Sequence, residues 1–209
     1  MKIYKLSVDS SENGYVYASG YGPLETGMPF LPKSLLDGHK KFWEIDPMAP
    51  GLDVEKGRKK AWPDVLLNGF SPPHYFLSEC IIHDLELINV RFHRVTEMPI
   101  GKIHGKWHQK NTPPKYFVAE AAPGIQINFE ASGYKLDQSG NPVLPALYRK
   151  AFTKDVFIYD SWTGNDLFSQ KYFGIMGSLP TALFCTEKVK KLAEDKGWTN
   201  VNFEELQVA

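Results

Sequence analysis

A short pattern occurs twice in this chain, 108 positions apart, and it constrains the fold more than any other feature. Each copy contains an apolar strand, a hydroxyl residue, a glutamate and an amphipathic helix, and a second apolar strand follows. The hydroxyl residues are Ser78 and Thr186. The pattern predicts two similar strand–helix–strand units, around residues 75–95 and 183–206. Because few residues are identical, a true duplication and the independent recurrence of a common αβ unit both remain open.

The two predicted helices have recognisable ends. Ser78 and Thr186 are predicted N-caps, because a side-chain oxygen at that position can accept a hydrogen bond from an unpaired backbone N–H. The glutamate after each of them falls in the first helical turn, where the helix dipole favours negative charge. Asn89 and Gly197 fit the helix C-termini, since both residue types tolerate a left-handed backbone. These positions therefore describe a scaffold rather than a site.

The remaining sequence predicts further strands and one short helix. Strands are expected at about 2–7 and 14–19 and in a β-rich middle third that contains Tyr116–Ala119, Ile125–Phe129 and Val156–Tyr159. Pro63, at a helix-start position, and the apolar run after it predict a helix over 62–67. Residues 44–60 are rich in charge, Pro and Gly, so they are expected to be irregular.

Length and charge limit the class of protein. The 209 residues predict one α+β domain, 1–209, with mixed and antiparallel sheets; two sub-lobes, about 1–110 and 111–209, are compatible with it. Because 24 basic and 24 acidic residues leave no formal net charge, a general nucleic-acid-binding protein is not expected. The local basic cluster at 56–60 is interpreted as a solvated face. No apolar run approaches the roughly 20 residues of a membrane span. The first residues alternate like a strand rather than forming a signal-peptide core, so a cytoplasmic location is expected.

Residues capable of catalysis or metal binding form no recognised motif. Cys80 and Cys185 lie on opposite sides of their hydroxyl–glutamate pairs, which predicts two free, buried thiols rather than a disulfide. A reactive Cys80 at a helix N-terminus is the alternative. His104 and His108 are four residues apart, but Gly105 between them favours a loop with two solvent-facing imidazoles. The sequence therefore predicts no catalytic residue, no metal and no cofactor.

Acidic residues and one tryptophan stand out in the polar segments. The pairs Glu44 with Asp46 and Asp160 with Asp166 invite an acid–base interpretation, but solvated surface acids are the simpler one. Trp162 lies in the polar loop between Asp160 and Asp166. A tryptophan in such a loop either folds back over the core or is exposed to a partner, and exposed Trp is enriched among interface hot spots.

Several segments between about residues 62 and 206 form one composite pattern. They are the strand before Ser78-Glu79 with its helix, Tyr116-Phe117-Val118, Asp137, Gly140, Ser161-Trp162, Asp166-Leu167-Phe168, and Phe184-Cys185-Thr186-Glu187 with the helix, Gly197 and Phe203 that follow. This pattern resembles a family of bacterial immunity proteins from polymorphic-toxin and contact-dependent competition systems. The closing order of Ser/Thr-Glu, helix, glycine and phenylalanine is its most specific part.

The resemblance implies an α+β fold and a non-enzymatic protein that binds and neutralises a cognate secreted toxin domain. It implies a toxin protein as the partner, with neither nucleic acid nor membrane. The candidate partner-binding residues are Asp160, Trp162 and Asp166 in one polar loop, and Glu44 and Asp46 in the irregular segment. Two alternatives remain open: a hydrolase-like enzyme with a noncanonical carboxylate site, and a small-ligand-binding regulatory module.

Overall fold

The structure is a computed structural model. It describes residues 1–8, 14–21, 52–68, 75–98, 100–122, 124–133, 135–140, 142–143, 156–171 and 180–208. These residues form an α+β fold of mixed helices and mainly antiparallel sheets, as the sequence predicted.

Strands make up most of the regular structure. They are β1 (Ile3–Ser7), β2 (Tyr17–Tyr21), β3 (Leu52–Val54), β4 (Val65–Asn68), β5 (Tyr75–Ser78), β6 (Phe92–Met98), β7 (Ile100–Ile103), β8 (Tyr116–Ala121), β9 (Gln126–Ile127), β10 (Lys135–Leu136), β11 (Pro142–Val143), β12 (Val156–Ile158), β13 (Leu167–Lys171), β14 (Pro180–Thr186) and β15 (Asn202–Val208). The helices are α1 (Glu79–Leu87), α2 (Lys106–Lys110) and α3 (Glu187–Lys196).

The strands form two large sheets and one small hairpin. The first sheet has the order β13-β14-β1-β15-β12-β9, and the second has the order β6-β8-β5-β4-β2-β3-β7. Strands β10 and β11 pair only with each other. Each large sheet contains a strand from a distant part of the chain. The N-terminal β1 lies between the C-terminal strands β14 and β15 of the first sheet, and β8 lies between the earlier strands β5 and β6 of the second.

The pattern repeated in the sequence is also a repeat of topology. In the second sheet, β4 pairs with β5, α1 follows, and the chain returns as β6 with β8 between β5 and β6. In the first sheet, β13 pairs with β14, α3 follows, and the chain returns as β15 with β1 between β14 and β15. Both insertions are antiparallel to their neighbours. The two units therefore share a four-stranded arrangement that extends beyond the similarity visible in the sequence.

The seven-stranded sheet is rolled. Its edge strands β6 and β7 are separated by a single residue in the sequence, yet they lie at opposite ends of the strand order. Strand β6 pairs with β8, and β7 pairs with β3. The rolled sheet encloses a cluster of fully buried side chains: Val16, Leu52, Val54, Leu66, Phe76 and Tyr116.

A shared core joins the two units. One cluster contains side chains from both sheets and from α1 and α3: Tyr4, Leu6, Val65, Leu77, Ile81, Ile82, Leu85, Val90, Ala119, Ala121, Leu167, Leu183, Cys185 and Val189. Neighbouring residues on β14 alternate, since Leu183 and Cys185 face this cluster while Phe184 faces another. Strand β14 is therefore buried on both faces, which explains its continuous apolar sequence.

Both repeated helices end in the same way. Asn89 after α1 and Gly197 after α3 have left-handed backbones, with φ of 63° and 67°. The residue that follows each of them donates its N–H to the carbonyl five residues back, Val90 to Leu85 and Trp198 to Ala193. This is the Schellman arrangement, and it confirms the predicted helix ends.

Two local predictions are wrong. Residues 62–67 do not form a helix, because Val65–Asn68 is strand β4, paired with both β5 and β2. Its side chains at Val65 and Leu66 are buried in different clusters, so an apolar run that resembled a helix is a strand covered on both faces. Within the segment 44–60, which was expected to be irregular, Leu52–Val54 is strand β3.

Candidate functional site

At the start of each unit an aspartate faces the hydroxyl residue across an antiparallel strand pair. The backbone carbonyls of Asp64 and Asp166 accept from the N–H groups of Ser78 and Thr186, at 2.8 and 2.9 Å. The Thr186 hydroxyl also donates to the Asp166 carboxylate at 2.7 Å, whereas the Ser78 hydroxyl lies 3.0 Å from the Cys80 sulfur and 3.5 Å from the Asp64 carboxylate. Neither hydroxyl makes a side-chain capping bond. The N-cap positions are therefore as predicted, but the predicted capping bonds are wrong; at Thr186 the nearby carboxylate is the stronger partner.

Each of these aspartate regions also binds the loop that follows the other unit's helix. Thr199, after α3, donates its N–H and its hydroxyl to one oxygen of Asp64, at 2.9 and 2.8 Å. Asn165, beside Asp166, accepts from the Arg91 N–H at 3.0 Å and donates to the Arg91 carbonyl at 3.2 Å. These reciprocal contacts hold the two units together, so the polar groups that make them serve the scaffold.

The two cysteines differ in environment. Cys185 is buried, as predicted, and burial raises the pKa of its thiol. Cys80 is exposed, so its predicted burial is wrong; on α1 the buried stripe begins one residue later, at Ile81. Its thiol lies 3.2 Å from an Asp64 carboxylate oxygen, and partial desolvation is the main cause of its raised pKa. A raised pKa disfavours the thiolate, which is the nucleophilic form.

The histidine prediction is also wrong in part. His108 lies on the short helix α2 and is only 2% exposed, rather than solvent-facing in a loop. Its ring contacts Trp62 and Trp107 edge-on, with centroids 5.0 and 4.8 Å away. Its Nε2 lies 3.4 Å from the Ala61 carbonyl. His108 is therefore a buried residue that packs against two aromatic side chains.

The loop after β12 presents aromatic side chains from a fixed backbone. A 3-10 turn covers Tyr159–Ser161, and Trp162 follows with its Nε1 donating to the Asn165 carbonyl at 3.2 Å. The Thr163 N–H donates to the Gly124 carbonyl at 2.7 Å. Tyr159 and Trp162 remain 48% and 37% exposed. Trp162 thus does not fold back completely over the core, and its ring orientation is fixed.

Asn165 holds this loop in place through the hydrogen bonds of its side chain. It is 1% exposed, and its amide nitrogen donates to the carbonyls of Arg91, Ala122 and Leu167. These carbonyls belong to three different parts of the fold, so the loop is attached to the end of β8 and to the segment that follows α1. Such support keeps a binding residue in a single geometry before a partner arrives.

A second segment, at the end of α1, lies beside the loop. The Arg91 guanidinium donates to the Thr163 carbonyl at 3.3 Å. An open surface pocket of about 520 Å³ joins the segments and is lined by Glu86, Asn89, Val90, Arg91 and Gly164. We call the exposed loop residues Tyr159, Asp160 and Trp162, together with Arg91, the aromatic surface.

The predicted site residues separate into three groups. Asp160 and Trp162 are exposed and close together on the loop. The Asp166 side chain is only 14% exposed, and Thr186 and Lys188 bind its carboxylate. Glu44 and Asp46 lie outside the described residues. Sequence reasoning missed Arg91, which reaches the loop only through tertiary contacts.

In the described part of the chain, the His, Cys, Asp and Glu side chains form no group of three that could hold a metal ion. No helix in that same part is long and apolar enough to cross a membrane.

Comparison with known proteins does not assign the chain to a family. No protein-family model matches it, and no curated protein matches it either. The resemblance to immunity proteins therefore stays a prediction from the residues themselves.

Proposed function

We propose that this protein is an immunity protein, which binds a cognate secreted toxin domain and neutralises it without catalysis. The observation that carries the proposal is the aromatic surface. Tyr, Trp and Arg are the residue types most enriched at protein–protein hot spots, and Tyr159, Trp162 and Arg91 supply one of each.

The composition of the surface supports a protein partner. Of the five large apolar side chains that are clearly exposed in the described part of the chain, two, Tyr159 and Trp162, lie on this one loop. Asp160 lies between them in the sequence and Arg91 binds the same loop, so the surface also carries one negative and one positive charge. An apolar centre with polar groups around it is the usual anatomy of a specific interface.

The rigidity of the surface also fits an inhibitor. The bonds of Asn165 and Arg91 hold both segments to the shared frame of the two units. A preformed surface loses little conformational entropy on binding, which favours tight association. The toxin contact that the sequence predicted at Glu44 and Asp46 stays a prediction.

A protection assay tests the proposal. The proposal expects a secreted toxin domain to be encoded beside this gene. That domain is expressed from an inducible promoter, with and without the wild-type protein, and survival is counted. We expect the wild-type protein to restore growth and the double variant Tyr159→Ala/Trp162→Ala to lose most of that protection.

Leu136→Ala provides the matched control, because Leu136 is also exposed, at 42%, but lies on the separate β10–β11 hairpin. It should protect like the wild type. Failure of the wild-type protein to protect would reject the immunity function. Full protection by the double variant would reject the aromatic surface as the site.

A further inference from the structure

A second exposed surface of the protein is strongly cationic. Six basic side chains lie on two short segments, 56–60 and 106–110, in which there is no carboxylate. All six are exposed: Lys56, Arg58, Lys59, Lys60, Lys106 and Lys110. We call these six residues the lysine patch. The whole chain has no formal net charge, but these two segments contain six basic residues and no acidic one.

The two segments are held side by side by packing. A side-chain carbon added at Gly105, just before α2, would lie 3.3 Å from Lys56 Cγ, so the segments are in direct contact. The buried ring of His108, on the second segment, packs edge-on against Trp62, which follows the first segment by two residues. Trp62 also donates its Nε1 to the Asn111 carbonyl at 3.1 Å. The patch is therefore a fixed arrangement of charges.

The segment 56–60 is also pressed against the chain that leads into β2. A side-chain carbon at Gly57 would lie 2.6 Å from the Val16 backbone nitrogen, so only glycine fits there. Lys59 donates its backbone N–H to the Gly14 carbonyl at 2.8 Å, and its ammonium lies 4.1 Å from the centre of the Tyr15 ring. These contacts fix the position of the backbone that carries the basic side chains of segment 56–60.

None of the five lysines of the patch forms an ion pair within the described part of the chain, whereas Lys115, Lys188 and Lys196 elsewhere each pair with a carboxylate. Lysine ammonium groups that lie close together without a carboxylate repel one another, so an anionic partner would relieve this repulsion.

The chemistry of the patch distinguishes between two kinds of anionic partner. The large apolar side chains that are clearly exposed all lie elsewhere in the described structure, so the patch has no anchor of the hot-spot type. Lysine is depleted in protein–protein interfaces. Nucleic-acid phosphates, in contrast, are bound by solvated Lys and Arg side chains through counterion release.

We propose that the lysine patch binds the phosphate backbone of duplex nucleic acid without reading its sequence. The formal net charge of zero argued against a general nucleic-acid-binding protein, but a net charge does not show where the basic side chains lie. This inference does not rest on the immunity function, because it concerns a different surface and a different partner.

Fluorescence anisotropy with a labelled 20-base-pair DNA duplex tests the proposal. The variant Lys60→Gln/Lys106→Gln/Lys110→Gln removes three charges from the patch. The control Lys2→Gln/Lys135→Gln/Lys191→Gln removes three charges from exposed lysines outside it. Binding is measured from 50 to 200 mM NaCl with two duplexes of different sequence, and folding of each variant is checked by circular dichroism.

We expect wild type and control to bind both duplexes alike, and the patch variant to bind at least tenfold more weakly at 50 mM NaCl. The slope of log K against log salt should fall in magnitude by roughly 3 for the patch variant, about 0.9 for each lost phosphate contact. Absence of wild-type binding at 50 mM NaCl would overturn the proposal, as would equal weakening in the control. Equally tight binding of a 20-residue polyglutamate peptide would reassign the patch to an acidic protein.

Discussion

Thr199 binds Asp64 through two donors at once: its backbone N–H and its hydroxyl both reach the same carboxylate oxygen, at 2.9 and 2.8 Å. The Asp64 N–H in turn donates to the Thr199 hydroxyl oxygen at 2.9 Å. Since Thr199 follows α3 and Asp64 precedes β4, this pair joins the two repeated units. The aspartate therefore stabilises the assembly of the whole fold.

Asp64→Ala should lower the free energy of unfolding by about 2–4 kcal/mol, because hydrogen bonds to a charged group are lost and buried donors remain unpaired. Urea unfolding followed by circular dichroism measures this. The matched variant Asp160→Ala, at an exposed position, should change stability by less than about 0.5 kcal/mol. Equal effects in the two variants would show that Asp64 does not join the units.

Thr186→Val should destabilise the protein by about 1–3 kcal/mol, because the valine keeps the shape but cannot donate to the Asp166 carboxylate. Thr186→Ser keeps the donor and should retain most of the stability. Ser78→Ala should cost less than Thr186→Val, since the Ser78 hydroxyl lies 3.5 Å from Asp64 whereas the Thr186 bond is 2.7 Å long. The reverse order in urea unfolding would argue against the role given to the carboxylates.

Gly124→Ala should cost about 2–3 kcal/mol, because the added carbon would overlap the ring of Phe168, which is stacked in a cluster with Phe157 and Phe184. Gly197→Ala is the comparison. Its added carbon meets nothing within 4 Å, so only the left-handed backbone opposes it, at about 1–2 kcal/mol. Thermal unfolding should give a larger drop in Tm for Gly124→Ala than for Gly197→Ala. An equal drop would contradict the close packing of Gly124 against the Phe168 ring.

Stability should fall at alkaline pH because burial raises the pKa values of Cys185 and Tyr116. In the unfolded chain these groups ionise near their ordinary pKa values, about 8.5 and 10, whereas in the folded protein they stay protonated. Above about pH 8 the folded state therefore binds more protons than the unfolded chain. The free energy of unfolding keeps its full value below about pH 8 and falls as the pH rises.

Ionisation of the Cys185 thiol in the unfolded chain should lower the free energy of unfolding by about 1 kcal/mol at pH 9.5 relative to pH 7. Urea unfolding of the wild type and of Cys185→Ala at both pH values isolates it, since the variant has no thiol to ionise there. The variant should lose less stability than the wild type over that interval. The same loss in both proteins would show that the buried thiol is not responsible.

The sequence predicted the repeated units because their signals are local: an apolar strand, a charged first turn and a left-handed stop at Asn89 or Gly197. It could not show that Asp64 and Asp166 occupy equivalent places, since these residues meet Ser78 and Thr186 only after strands pair. The helix predicted at 62–67 was wrong for a related reason, because a strand covered on both faces by tertiary packing has no alternating pattern.

The candidate site could be predicted only in part. Trp162 and Asp160 stood out because an aromatic residue in a polar loop is unusual, and both are exposed. Arg91 comes from a segment more than 70 positions away, and the bonds of Asn165 and of the Arg91 guanidinium hold that segment to the loop. A single sequence contains no signal for such a contact.

The most direct test of the proposed function is the dissociation constant between this protein and the toxin domain that the proposal expects beside its gene, measured by isothermal titration calorimetry. We predict that Trp162→Ala binds about 30-fold more weakly than the wild type, the loss typical of a hot-spot residue, and that Leu136→Ala binds equally well. Wild-type affinity in Trp162→Ala, or no binding by the wild-type protein, would contradict the account.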